Sequence, residues 1–301
     1  MYRTKCKKTR FCRRVVSLTI VISVIFVLLT ACSQNEKTAL PVVSDYRFDP
    51  VIETKNLRVG FVLGPYMDMF VEAILPQLIE MGYTTELKYY QDYRSPNLAL
   101  AHDEIDLNIF QHYLYLNNFK FDNDLALSAI MTIPTASMGI FSHRYDSLDE
   151  LRAGSTVSVP NDVSNLARAL TFLEAANILR LNPGIEKSKA TLADIVSNPH
   201  NLRFVPTGAH NLVDSLNACD LSVINGNYAI SGGLNPSEAL DNEALSQDYT
   251  NVIAVRTEDL NKQYVRDIID IIYSDLFRDV IMNPAGKYAD FQLPRWFFET
   301  E

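Results

Sequence analysis

The chain has 301 residues, 27 Lys+Arg against 36 Asp+Glu for a formal charge of −9, and a hydrophobic share of 48%. That is enough apolar sequence for one large domain or two lobes, but so acidic a chain lacks the basic face that binding nucleic acid through its phosphates needs. The charge is uneven: residues 1–31 hold seven bases and no acid, which leaves 20 Lys+Arg against 36 Asp+Glu, a net −16, in the rest.

The first element is a targeting segment. Arg3, Lys5, Lys7, Lys8, Arg10, Arg13 and Arg14 make a basic head, Val15 to Leu28 is almost wholly apolar, and the run ends in Leu29-Thr30-Ala31-Cys32. A basic n-region, an apolar h-region and small residues before a cleavage point describe an export signal. The cysteine that follows is similar to the bacterial lipobox, whose thiol is acylated and becomes the new N-terminus. Lipid on Cys32 would hold the mature chain on a membrane, facing the periplasm or the cell exterior. The alternative is an uncleaved signal anchor, with an apolar run of 17 residues, Val15 to Ala31, at the short edge of the ~17–25 needed to span. Cys6 and Cys12 leave with the signal, so Cys219 stands alone and no intramolecular disulfide is available.

Residues 33–54 lack period, carry Pro41 and Pro50, and belong to a tether over 32–56. Strand and helix patterns then alternate. Leu57–Leu63 reads as a strand closed by Gly64-Pro65. Met67–Met81 has helical spacing, with Phe70, Ile74, Leu78 and Met81 on one face, a kink expected at Pro76 and Gly82 as stop signal. Thr84–Tyr90 is strand-like. Ser95 is placed to cap a short helix with Pro96 at its first position. Ile105–Phe110 and Ala126–Ile133 are further strands.

The pattern restarts with strands at Gly139–Ser142, Thr156–Val159, Leu202–Val205 and Leu221–Ile224, and helices at Ser147–Leu151, Ser164–Ile178 and His210–Ala218. Ser147 and Glu150 have capping-box spacing. After a loose stretch, Asn251–Val255 is a strand and Asp259–Tyr273 a helix. Short strands alternating with helices mean an α/β chain with mostly parallel sheets, and sites in such sheets lie beyond the carboxyl ends of strands.

Four strand ends carry polar or aromatic groups. In a helix starting near Val163 or Ser164, capped by Asn161 or Asp162, Asn165 and Arg168 lie three apart on one face, opposite a stripe of Leu166, Leu170 and Leu173. A guanidinium fork beside a helix N-terminus suits a carboxylate; the plainer reading is a surface arginine paired with an acid such as Glu174. Phe110, His112 and Tyr115, with Tyr93, are placed to form an aromatic pocket for a flat or polarizable side chain, or else are core rings beside one hydrogen-bonded histidine. Asn225, after a buried strand, is a neutral acceptor or a turn residue with Gly226. The five histidines have no close pair at ligand spacing, no nucleophile or phosphate-loop motif occurs, and no metal, cofactor or enzymatic chemistry is expected.

Several blocks together resemble the methionine-binding lipoprotein family (MetQ/NlpA type), the substrate-binding subunits of ABC importers. They are Leu57-Arg58-Val59-Gly60, Asp92-Tyr93 with Pro96-Asn97-Leu98-Ala99-Leu100, Ile105-Asp106-Leu107-Asn108-Ile109-Phe110-Gln111-His112, Met138-Gly139-Ile140-Phe141-Ser142, Val159-Pro160-Asn161-Asp162, Asn165-Leu166-Ala167-Arg168-Ala169-Leu170 and Val223-Ile224-Asn225. The resemblance implies a type II periplasmic-binding-protein fold: two α/β lobes with a hinge and an interlobe ligand cleft, lobe 1 being 57–133 and 251–301 and lobe 2 being 134–250. It implies that Arg168 holds a ligand carboxylate, that Asn165 and Asn225 meet the remaining polar groups including the ammonium, and that Tyr93, Phe110, His112 and Tyr115 wrap the side chain of methionine or a related amino acid. Partners would be the importer's permease and ATPase, and the membrane through the lipid anchor. An alternative on the same fold is a surface interaction or adhesion lipoprotein with vestigial binding. Three positions depart from the family pattern: Tyr66 stands where histidine is usual after Gly-Pro, and Leu114 and Val163 where proline is usual.

Overall fold

The computed structural model describes residues 55–299; the signal over 1–31, Cys32 and the tether up to residue 54 lie outside the described residues. Strand β1 (Asn56–Val62) starts one residue inside the span read as tether. Gly64, at φ +139°, turns the chain into helix α1, 66–80. The kink expected at Pro76 takes a definite form. An α-turn (Tyr66–Met69) widens to a π-turn (Phe70–Ile74) before α-geometry resumes (Leu75–Glu80), and Leu75 N–H bonds to the Phe70 carbonyl. Proline has no N–H to give to the preceding turn and its ring displaces that carbonyl, so the helix absorbs the mismatch just ahead of it. Phe70, Ile74 and Leu78 are buried, but Met81 is exposed, because the helix has ended and Gly82 (φ +84°) turns the chain away.

Strand β2 (Thr84–Tyr90) leads to helix α2 (Ser95–Ala101). Ser95 does not cap it: the Asp92 carboxylate accepts from the N–H groups of Arg94 and Ser95 and from the Ser95 hydroxyl, a stronger acceptor taking the serine's place. Strand β3 (Leu107–His112), helix α3 (Tyr113–Asp122) and strand β4 (Leu127–Ile133) follow. With β12 (Asn251–Arg256) they form a sheet in the order β2-β1-β3-β12-β4. On one face pack α1 and the later helices α6 (Gln263–Ile272) and α7 (Asp275–Met282). Helix α6 starts four residues later than its periodicity suggests, since Asp259 is tied in ion pairs to Arg256 and Lys262 within a 3₁₀ turn.

The second sheet has the order β11-β5-β10-β6-β9, from β5 (Gly139–Phe141), β6 (Thr156–Pro160), β9 (Arg203–Thr207), β10 (Leu221–Ile224) and β11 (Asp241–Asn242). Helix α4 (Val163–Ala175) buries Leu170 and Leu173 against it. A small hairpin, β7 (Arg180–Leu181) with β8 (Ile195–Ser197), and helix α5 (Gly226–Ser231) complete this half. The Ser147–Leu151 turn is 3₁₀ over Leu148–Glu150. Its Glu150 carboxylate accepts from Asp146 N–H, one residue short of a full capping box. His210–Ala218 is not a helix but two 3₁₀ turns, Ala209–Asn211 and Asp214–Asn217; the Ser215 hydroxyl donates to the Leu212 carbonyl and competes for the acceptors a helix needs.

Neither sheet is mostly parallel. β1 runs parallel to β2 and β3, and β6 to β9 and β10, but β12 is antiparallel to both its neighbours and β5 to β10 and β11. The odd strands are those that follow the two crossings between sheets, at 134–138 and 243–250, where the chain returns without a crossover helix. This is the two-lobed, hinged α/β architecture that the resemblance implied. Cys219 is free and buried. Among the described residues no helix is long and apolar enough to cross a membrane.

Candidate functional site

All seven candidate ligand residues line one cavity between the sheets. Its volume is about 20 Å³, room for little more than a water molecule, so the two sides are closed upon each other here and a ligand would enter only as they part. Tyr93, Phe110, His112 and Tyr115 come from the first sheet's side, and Asn165, Arg168 and Asn225 from the second's.

The aromatic wall is set by β3 and the turn into α3. Against β12, Gln111 faces Val252 and Ile109 faces Ile253, which leaves Phe110 unpaired in a bulge. A bulge re-aims the extra side chain. Ile109 stays in the core below the sheet, while Phe110 packs with Phe141, Ile224 and Tyr228 from the other half. Gln111 is thereby turned onto a buried amide network with Asn97 and Asn108. His112 caps α3: its Nδ1 accepts from Tyr115 N–H, so the proton sits on Nε2, which reaches Asn165 Oδ1 at 3.3 Å. Burial, then the Arg168 charge, hold the His112 pKa well below its usual value, so the ring is neutral. Tyr93 stacks on Phe110 at 5.8 Å and meets Tyr115 edge-on at 5.7 Å. Its hydroxyl donates to Asn227 Oδ1, and Asn227 Nδ2 donates to the Leu63 carbonyl, joining the two halves.

The polar wall is set by the start of α4. Asp162 is its N-cap, accepting from Asn165 N–H at 2.9 Å. The same carboxylate also takes Asn165 Nδ2 at 3.0 and 3.1 Å. That orients the amide, because a carboxylate can only accept. Asn165 Oδ1 therefore faces Asn225, whose Nδ2 donates to it at 2.7 Å. Asn225 stands at the N-cap of α5 but makes no capping bond, and its Oδ1 is the one buried side-chain polar atom without a partner among the described residues. Arg168 is 4% exposed and is no surface residue. Its Nε and Nη2 donate to Glu243 at 2.6–3.0 Å, its guanidinium lies 5.1 Å from the Tyr249 ring, and no hydrogen bond from Nη1 is found among the described residues. Burial lowers its pKa, but the charge and hydrogen bonds of Glu243 outweigh that and raise it. Glu174 pairs with Lys187 instead.

Five wall or supporting residues escaped the sequence. Tyr66 was marked only as a departure; it is buried in the cavity wall, its hydroxyl accepts from Ala136 N–H, and burial pushes its pKa up to about 12. Asn227 lies two residues past Asn225 in the first turn of α5 and Asn251 opens β12, so their places at strand ends are the signal the sequence carries for them. Glu243 and Tyr249 lie in a stretch without period, and no local pattern marks them. Of the other departures, Val163 is exposed at the outer start of α4 and Leu114 is half-buried.

The model of the NlpA lipoprotein family matches residues 57–296. The chain belongs to the NlpA lipoprotein family. Among its relatives is the methionine-binding lipoprotein MetQ of Bacillus subtilis, 34% identical over 80% of this chain and 88% of the relative. The D-methionine-binding lipoprotein MetQ of Escherichia coli is 32% identical over 82% of this chain and 86% of its own. A nutrient binding protein from Burkholderia cenocepacia, solved bound to methionine, superposes with a TM-score of 0.72 at 30% identity, covering 75% of this chain and 95% of that one. This NlpA-family chain is thus similar to binding proteins over nearly all of its described length.

Proposed function

We propose that the chain is a lipid-anchored receptor that closes on methionine or a methionine-like α-amino acid and delivers it to the permease and ATPase of an ABC importer. The observation that carries this is the orphaned Asn225 Oδ1 in the same small, aromatic-walled cavity as Arg168. A buried acceptor without a donor costs about 1–3 kcal/mol, which a ligand N–H would recover. Arg168 offers donors for a carboxylate, and Asn225 an acceptor for an ammonium, so the pair matches an α-amino acid. Four rings supply the far end; a thioether suits them, being unbranched and polarizable, with sulfur–aromatic contact adding about 0.3–1.5 kcal/mol. Lobe 1, 57–133 and 251–301, and lobe 2, 134–250, would move as bodies about the two crossings, and ligand contacts available only in the closed state would shift the equilibrium. No chemistry is done on the ligand. Names of the relatives support the substrate class.

Competition calorimetry on ligand-stripped protein tests this. Methionine should bind above norleucine by a modest factor, and both far above glutamate, lysine or glycine, because a charged side chain would be desolvated without a partner. Equal affinity for methionine and lysine would sink the assignment. For the anchor, Cys32→Ala should abolish fatty-acid labelling and leave unprocessed precursor; normal processing would favour an ordinary secretory signal.

A further inference from the structure

Arg168 is already engaged before any ligand arrives. Glu243 lies 75 residues further along the chain, at the start of the second crossing, with its side chain 8% exposed. It occupies the Nε/Nη2 edge of the guanidinium and accepts weakly from Met138 N–H of the first crossing at 3.3 Å. Its backbone is held from both sides: Glu243 N–H donates to the Met138 carbonyl, and Gln292 Nε2 donates to the Glu243 carbonyl. The same Gln292 amide reaches Ser137 and Leu245, so both crossings are clasped where Glu243 sits.

The electrostatic consequence is specific. The Arg168–Glu243 pair is neutral, His112 is neutral, and the next charged group inward is Asp162, another acid behind Asn165. Among the described residues lining or touching the cavity, no positive charge is left over to attract a bare anion. A ligand carboxylate meets only the remaining edge of Arg168, in competition with Glu243. A ligand that also brings an ammonium supplies a donor for Asn225 Oδ1 and a positive charge next to a surplus of acid.

We propose that Glu243 is a positioning residue which aims Arg168 and cancels its charge, so that the cavity demands an α-ammonium together with an α-carboxylate and rejects des-amino acids. This rests on the amino-acid reading above and extends it to how the site distinguishes a zwitterion from an anion.

The test compares three probes by calorimetry on the full chain in detergent: methionine, its des-amino analogue 4-(methylthio)butanoate, and methioninamide at a pH where the amine is protonated. In the native protein methionine should exceed the des-amino acid by at least about a hundredfold, with methioninamide between them. Glu243→Gln should weaken methionine yet narrow its margin over the des-amino acid by about tenfold or more, since the uncancelled guanidinium now attracts an anion. Glu243→Asp, which keeps the charge, should hold the native margin while weakening both. A merely structural brace would lower both affinities in Glu243→Gln and leave the margin unchanged; that result overturns the inference. If Glu243→Gln does not fold, the native order decides: a des-amino acid binding as well as the cation overturns the inference alone. Absence of methionine binding to the native protein would overturn the amino-acid reading and this inference with it.

Discussion

One wall of the cavity, from Tyr93, Phe110, His112 and Tyr115, is held chiefly by ring packing, with side-chain hydrogen bonds at the Tyr93 hydroxyl and the His112 ring nitrogens; the opposite wall, from Asn165, Arg168 and Asn225, is held by charge and hydrogen bonds. Packing is cumulative and tolerant, so the aromatic wall can lose one ring and keep its shape. The polar wall is a chain in which each bond sets the next: Asp162 orients Asn165, Asn165 orients Asn225, Glu243 orients Arg168. Removing one link there exposes a buried partner, which costs more than the link contributed. The contrast matches the division of labour proposed for the ligand, with a rigid grip on backbone groups and a softer fit to the side chain.

The largest effect should come from Arg168→Ala. Binding should weaken by about 2–5 kcal/mol, roughly 30-fold to several-thousand-fold. Stability should fall too, because Glu243 is stranded, by about 3–5 kcal/mol or roughly 6–20 °C in melting temperature. The double variant Arg168→Ala/Glu243→Gln should regain most of the melting temperature but not the affinity. A single variant that melts like the native protein would break the claim that the polar wall depends on paired charge.

Gly64→Ala addresses the joint between the walls. A Cβ there would lie 2.7 Å from Asn227 Cβ, at a backbone φ of +139° that L-residues rarely adopt. Affinity should fall by about 1–3 kcal/mol as Asn227 loses its bonds to Tyr93 and Leu63. Titration together with small-angle scattering would read both affinity and closure; native affinity would show that this contact plays no part in closing.

His112 gives a pH signature. Its folded pKa is depressed by burial and then by Arg168, so below the unfolded value of about 6.5 the unfolded chain binds the extra proton. The stability due to a neutral His112 is complete above about pH 6.5 and is lost as pH falls from there towards the depressed folded value, by up to about 1.4 kcal/mol per pH unit. His112→Gln should flatten the melting curve between pH 6.5 and 5.5; an unchanged slope would assign it to other groups. The smallest effect is Phe110→Ala on selectivity. Methionine should weaken and its margin over norleucine should shrink by no more than the ~0.3–1.5 kcal/mol of a sulfur–aromatic contact. A margin left intact would place the sulfur elsewhere.

Much of this was written locally. Most strands lie within a residue or two of where alternation and turn residues put them, and the polar face of α4 follows from three-residue spacing after the Asp162 cap. The misses have local causes of their own: Asp92 out-competes Ser95 as a cap, Ser215 breaks the 210–218 pattern, and π-geometry at Phe70–Ile74 answers Pro76.

What the sequence by itself determined, then, is the alternation of elements and the residue types at each strand end, because periodicity and capping act over a few residues. Only the tertiary structure decided what those residues face. It brought Glu243 to Arg168 across 75 residues, Asn225 to Asn165 across 60 and Tyr66 into the wall, and it unpaired Phe110 by a register slip against β12. Such pairings depend on which strands become neighbours and where the chain crosses between sheets. That is settled by burial summed over the whole molecule rather than by any local pattern.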